Sequence, residues 1–260
     1  GAGVKLRGVN VQDLSIAGDF MKVILKAGHA SEDELKSARG MLIGILNKVG
    51  AKFFGTTAAD ILKNNFRIEG CNDVRMPLKR IFSISLPELE EDLAGQKYNL
   101  ANDHPLSMLS NDHKENIKKL RILSYSLSGI DKDASLEKIK NTLKEAQDYY
   151  AELDTHIRKE EEVLFPALEA NGMQEHPQNL RDEHKNFRDT LSKVIKILKD
   201  SFVQTGALET TEIKELKNKF ISDISNHIFR ETYIFYPASL EFIVDKNGWQ
   251  KIKEGFNCIK

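Results

Sequence analysis

The chain has little with which to cross-link itself, span a bilayer or bind a polyanion. Its 260 residues include 2 cysteines, Cys71 and Cys258, far apart and in no metal-type spacing. That count excludes a disulfide framework and a structural thiolate site, and it suits a reducing cytoplasm. No apolar run approaches the roughly 20 residues a membrane helix needs, and no signal-peptide pattern is visible. Charge is abundant but cancels: Lys+Arg 38 against Asp+Glu 39 leaves a net charge of -1. There is thus no basic footprint for nucleic acid and no surplus to favour a membrane surface. The charges belong on the outer faces of helices. Strand signals are scarce too, while the length suffices for one or two domains with a real core.

Helix starts and stops are plentiful. Ser31-Glu32-Asp33-Glu34 is a capping box opening a helix toward Val49, and Ser85-Leu86-Pro87-Glu88 is a second, with proline early in the helix. Thr57 with Asp60 opens a short helix near 57–66, Arg67 to Pro77 reads as loop, and residues 1–19 leave room for a short strand. From about Asp103 the pattern changes to long amphipathic helices, predicted over about 105–130, 135–170, 177–204 and 211–246. His104-Pro105 and His176-Pro177 mark the starts of the first and third, because proline tolerates the first turn and disfavours helix before it. Asn171-Gly172 and Asn247-Gly248 read as stop signals. Leu120, Leu123 and Leu127 form the i, i+3, i+7 stripe of a core-facing helix, and Leu191, Val194 and Leu198 repeat it. Short connections make neighbours antiparallel. The expected fold is all-α: an up-down-up-down four-helix bundle over 103–246, after a mainly helical region 1–102 of unassigned role and before a tail 247–260.

Within that bundle, polar residues repeat at one offset of 71 positions. His113 recurs as His184, His156 as His227, Glu160 as Glu231 and Pro166 as Pro237. Self-similarity of this kind points to a duplicated unit whose two halves build one site. A geometric check agrees with it. If His113 and His156 face one another on antiparallel helices, the turn falls midway, at Ala134–Ser135; for His184 and His227 it falls at Thr205–Gly206. Both midpoints land on helix breakers.

A His and a Glu four residues apart share one helical face, about one turn of ~5.4 Å from each other. Two such pairs plus one His from each remaining helix converge on the bundle interior: His113, His156, Glu160, His184, His227 and Glu231. Imidazole with carboxylate suits iron, manganese or zinc. The donors are too many for one catalytic zinc and suit two metals, each with two imidazoles and with bridging carboxylates. Burying so many ionisable groups without a metal would carry a large desolvation cost. Glu161 and Glu162 also follow His156, but their counterparts are Thr232 and Tyr233, so symmetry selects Glu160 and Glu231. Tyr149 and its counterpart Phe220 lie on the same face as the histidines and read as core. Pro166 and Pro237 should kink their helices, Arg188 should be salt-bridged or solvated, and a lone Cys71 should be inert.

The pattern His113 … His156-x3-Glu160 … His184 … His227-x3-Glu231 resembles the hemerythrin-like, HHE cation-binding family. It is most similar there to the di-iron proteins associated with repair of iron–sulfur clusters after nitrosative or oxidative stress. The phrases Glu160-Glu161-Glu162-Val163-Leu164-Phe165-Pro166 and Asp182-Glu183-His184 share that family's appearance. Over about residues 103–246 the resemblance implies two non-haem iron ions bridged by carboxylates, with zinc or manganese as lesser alternatives. Oxygen-carrying hemerythrins have a further His where this chain has Arg188, and an Asp where it has Thr232. One fewer imidazole leaves more open coordination, which disfavours reversible oxygen storage and favours binding of, or reaction with, O2, NO or peroxide, or iron release. The expected partners are such a small ligand and iron–sulfur proteins, with no nucleic acid and no membrane; an oligomer is compatible with the sequence. Whether the site turns over a substrate is open, and no catalytic residue is assigned. The alternative is a sensor in which ligand or iron binding is relayed to the N-terminal region.

Overall fold

The structure, a computed structural model, describes residues 29–49, 80–95, 99–202 and 210–259, with Val23 and Ala27. The short helix expected near 57–66, the loop from Arg67 to Pro77, the stretch 1–19, Cys71 and the midpoint Thr205–Gly206 lie outside them. All regular structure among the described residues is helical. Two compact units divide the chain: Gly1–Ser83 with Tyr233–Glu241, and Ile84–Thr232 with Phe242–Lys260.

In the first unit, α1 (Glu32–Val49) opens on the expected capping box. Ser31 Oγ accepts from the Glu34 amide at 3.4 Å while the Glu34 carboxylate accepts from the Ser31 amide at 2.6 Å, so two otherwise orphaned donors are satisfied reciprocally. Leu35, Ala38 and Leu42 form its buried stripe. Two arginines tie down its flanks: Arg39 donates to Ser83 O at 2.8 Å, and Arg80 to Ala27 O and Ala30 O at 2.9 and 2.6 Å.

The second unit is the four-helix bundle, formed by α3 (Pro105–Ser128), α4 (Leu136–Lys159), α6 (Glu175–Asp200) and α7 (Thr210–Arg230). Each helix packs on two of the others, closing a ring. Contacts run in opposite senses along every neighbouring pair, as Lys159–Asp112 with Lys119–Glu152 shows for α3 and α4. The two apolar stripes fill the interior: Leu120, Leu123, Leu127, Leu191, Val194 and Leu198 are all buried. His104 caps α3, its Nδ1 accepting from the Leu106 amide at 3.2 Å. Ser135, at the expected midpoint, caps α4 by accepting from the Lys138 amide at 3.2 Å. The descent ends at Asn171-Gly172 in a Schellman motif: Gly172 adopts φ 98° and donates to Glu169 O, and Met173 donates to Leu168 O.

Shorter helices pack outside the ring. α2 (Leu86–Gly95), begun by the Ser85 cap, lies on α3 and α7. Asn247-Gly248 proves not to be a stop. It sits in the first turn of α9 (Lys246–Cys258), which Asp245 caps through the Asn247 amide. The reason is a second amphipathic stripe, Trp249, Ile252 and Phe256, buried against the bundle, with the Trp249 indole donating to Ile243 O at 2.7 Å. Burial of that stripe outweighs the local turn tendency of Asn-Gly. The preceding helix correspondingly ends at Phe242 rather than 246.

Where the prolines suggest kinks, the helices contain π-turns. Glu160–Leu164 and Glu231–Phe235 are each one π-helical turn, ending two residues before Pro166 and Pro237 and followed by α5 (Phe165–Ala170) and α8 (Tyr236–Phe242). In a regular helix the Pro166 ring would collide with the Glu162 carbonyl. The widened turn, in which the Phe165 amide reaches back to Glu160 O, accommodates it. π-turns of this sort recur at functional sites, and both begin on the glutamates singled out by the repeat.

Candidate metal centre

All six predicted residues meet in the bundle interior, each at most 4% exposed. Their donor atoms form two groups, His113, His156 and Glu231, and Glu160, His184, His227 and Glu231, within which atoms lie no more than 4.8 Å apart. Glu231 belongs to both. α3, α4, α6 and α7 each present one imidazole, and each glutamate stands at the point where its helix opens into a π-turn.

The inner contacts repeat under the 71-residue shift. His113 Nε2 lies 3.1 Å from Glu231 Oε2, and His184 Nε2 lies 3.4 Å from Glu160 Oε2. His156 Nε2 is 3.6 Å from Glu160 Oε2, and His227 Nε2 is 2.9 Å from Glu231 Oε1. The outer ring nitrogens face a second set of groups. His156 Nδ1 faces Asp112 at 3.5 Å and His227 Nδ1 faces Glu183 at 2.7 Å. His184 Nδ1 faces Glu161 at 3.0 Å, and His113 Nδ1 faces the Thr232 hydroxyl at 3.1 Å. Each outer carboxylate is held by a cation: Lys159 on Asp112 at 2.7 Å, Arg230 on Glu183 at 2.6 Å, and Arg188 on Glu161 at 3.0 Å and on Asp154 at 2.7 Å.

These outer partners fix the tautomers. A carboxylate only accepts, so His184 and His227 each carry a proton on Nδ1, and Nε2 is the ring nitrogen that faces inward. The two Nε2 atoms are nevertheless 3.1 Å apart, with Glu231 Oε1 2.9 Å from one of them. That Oε1 is buried and makes no hydrogen bond among the described residues. Lone pairs converging at such distances repel unless a cation, either a metal or a proton, lies among them. Titration follows the same geometry. Burial pushes His113 down to about 4, beyond what Glu231 restores, so its imidazole is neutral and ready to donate a lone pair. Burial also acts against the charge on His227, but the Glu231 and Glu183 carboxylates outweigh it and raise this imidazole above its ordinary value. Burial works against Glu231 in turn; His227, His113 and His184 prevail and keep it ionised well below the usual carboxylate range. Glu183, opposed by burial but held by His227 and Arg230, falls to about 2.

An aromatic layer surrounds one side of the site. Phe165 stacks on His184 with centroids 5.8 Å apart and an interplanar angle of 12°, and Phe187 meets His227 edge-on at 5.0 Å. Tyr149 is buried core, T-shaped against Phe220 at 6.1 Å, and its phenol is raised by burial. Arg188 is salt-bridged, as the sequence suggested. Glu161, which symmetry set apart from the donor set, stands behind the His184 imidazole. Asp112, Lys159 and Arg230 escaped sequence reasoning, and Glu183 entered it only within the phrase Asp182-Glu183-His184, although the 71-residue repeat contains them all: Asp112 pairs with Glu183 and Lys159 with Arg230.

This helical bundle with an imidazole–carboxylate interior matches a known family. The model described as the Hemerythrin HHE cation binding domain covers residues 104–239, and the chain belongs to that family of metal-cation-binding proteins. A probable iron-sulfur cluster repair protein of Haemophilus influenzae is 27% identical over 164 residues, spanning 58% of this chain and 69% of its own. No solved structure matches the chain. No helix among the described residues is long and apolar enough to cross a membrane.

Proposed function

We propose that the protein is a carboxylate-bridged, non-haem di-iron protein that binds or reacts with NO, O2 or peroxide and serves the repair of damaged iron–sulfur clusters. The observation that carries the reading is the convergence of six buried donors as two groups sharing Glu231. One cation would leave part of that set uncompensated. His113 and His156 would hold one ion and His184 and His227 the other, with Glu231 and Glu160 between them. Iron bound there supplies a Lewis acid and an electron source. The chain's own residues orient the imidazoles through Asp112, Glu161, Glu183 and Thr232, exclude bulk water with Phe165 and Phe187, and neutralise the outer carboxylates with Lys159, Arg188 and Arg230.

The name of the Haemophilus influenzae relative supports cluster repair, and Arg188 supports reaction or release over storage. It stands where oxygen-carrying hemerythrins have a further imidazole, and it is committed to Asp154 and Glu161. The test is to load the protein with iron, count the metal, record its visible spectrum, and incubate it with a hydratase whose [4Fe–4S] cluster has been damaged by NO or peroxide. About two irons per chain and recovery beyond that given by an equal amount of free iron are expected. Recovery no greater than that of the free salt refutes the repair role, and fewer than two irons refutes the di-iron reading.

A further inference from the structure

Resting on the two-metal reading, we infer that the two positions are not equivalent: the metal held by His184 and His227 is retained, and the metal held by His113 and His156 is the exchangeable one. Three separate departures from the 71-residue symmetry favour the same position.

The first lies behind the imidazoles. His184 and His227 are each backed by a carboxylate, at 3.0 and 2.7 Å. In the other half the counterpart of Glu161 is Thr232, so His113 has a hydroxyl at 3.1 Å. His156 has Asp112 only at 3.5 Å, and its buried Nδ1 makes no hydrogen bond among the described residues. A carboxylate on the outer nitrogen raises the basicity of the inner one and fixes the ring. Both effects are stronger for His184 and His227.

The substitution at 232 is matched by a second. Arg188, which secures Glu161, has Ile117 as its counterpart, and Ile117 is 1% exposed. The carboxylate and its cation have been replaced together by a hydroxyl and an aliphatic side chain, so the difference between the halves is coherent.

The third concerns shielding. Phe187, three residues after His184, contacts both His184 and His227, at 6.3 and 5.0 Å between centroids. Three residues after His113 stands Asn116, buried at 3% exposure. The half with the weaker backing thus has a polar carboxamide where the other half has a phenyl ring. Glu160 also falls within the donor group of His184 and His227 and outside that of His113 and His156.

Outer partners of metal-binding histidines are worth about 10–100-fold in affinity, which sets the expected separation between the positions. The 260-residue chain, loaded with two equivalents of Fe(II) without oxygen, is titrated with a bipyridine-type Fe(II) chelator. One iron should leave at a chelator concentration about 10–100-fold lower than the other. At one equivalent of 57Fe, Mössbauer spectra should show a single major doublet, and a second should grow only with the second equivalent. Glu161→Gln should weaken only the tight position and draw the two steps together. Thr232→Glu with Ile117→Arg should strengthen the weak position and bring the steps together from the other side. Should the double variant fail to fold, Glu161→Gln decides alone. Withdrawal of both irons in one step from the unaltered protein overturns the inference and leaves the two-metal reading intact. So does an effect of Glu161→Gln on the weakly held iron. Binding of fewer than two irons overturns both.

Discussion

Replacing Glu231 by Gln should abolish most of the stabilisation that metal confers, while Glu161→Gln should remove only a small part. Glu231 contributes to both donor groups and touches three of the four imidazoles, whereas among those imidazoles Glu161 faces His184 alone. A ligand that binds only the native state adds about 2.7 kcal/mol at 100 times its Kd. Counted at that excess for both positions, which understates the tighter one, the two give about 5.4 kcal/mol, and at about 2–4 °C per kcal/mol this is a rise in Tm of about 11–22 °C. If loss of the shared carboxylate weakens each position at least 100-fold, each retains about 0.4 kcal/mol, and the rise shrinks to about 2–3 °C. A tenfold loss at one position, the smaller figure for an outer partner, leaves about 4.1 kcal/mol in all, or about 8–16 °C. Melting is followed by helical circular dichroism with and without Fe(II) under argon. Comparing each variant with its own metal-free form cancels the cost of the substitution itself. A Glu231→Gln protein that keeps the full rise, or a Glu161→Gln protein that loses as much, would show that the shared carboxylate is not what holds the metals.

Three further outcomes are expected. In the metal-free protein, NMR titration should find His113 neutral down to about 4 and His227 protonated above the ordinary histidine value. His113 then contributes stability that is complete above its unfolded value of about 6.5 and is lost as pH falls toward 4, whereas the raised His227 contributes stability below 6.5 that is lost as pH rises through its folded value; loss of the acid-side slope in His113→Asn checks the first. A Cβ on Gly255 would lie 2.6 Å from Val163 Cγ1; overpacking of about 1–3 kcal/mol against a helix-propensity gain of about 1 leaves Gly255→Ala up to about 2 kcal/mol less stable in urea, and Val163→Ala in the same chain should relieve the strain. Gly172→Ala places a side chain at φ 98° and should cost about 1–2 kcal/mol by the same measurement, with metal content unchanged.

What the sequence disclosed was set by periodicity and by strict repetition. The bundle was legible because Leu120, Leu123 and Leu127 state the helical period openly and His104, Ser135 and Gly172 punctuate it. The six inner residues were legible because the same chemistry occurs twice at one offset. Asn247-Gly248 misled because a dipeptide reports local preference, while the buried face of Trp249, Ile252 and Phe256 decides the outcome through tertiary packing. The outer partners were hidden for a different reason. Asp112, Lys159 and Arg230 look like ordinary surface charge in a chain with 39 acidic and 38 basic residues, and only their direction, toward an imidazole or its carboxylate, distinguishes them. Glu161 was set aside because Thr232 breaks the symmetry there. The same break is what makes the two halves of the site differ.

The paired π-turns bear on the history of the chain. An extra residue squeezed into a helix is unfavourable by itself, and its independent arrival at matching places in two helices would be a double coincidence. A single acquisition before the gene segment was copied accounts for both Glu160–Leu164 and Glu231–Phe235. The ancestral polypeptide would then have been one helical hairpin, already bearing the widened turn and able to complete a site only by pairing with an identical molecule. On that history, fusion would have freed the halves to diverge, as Glu161 and Thr232 now differ.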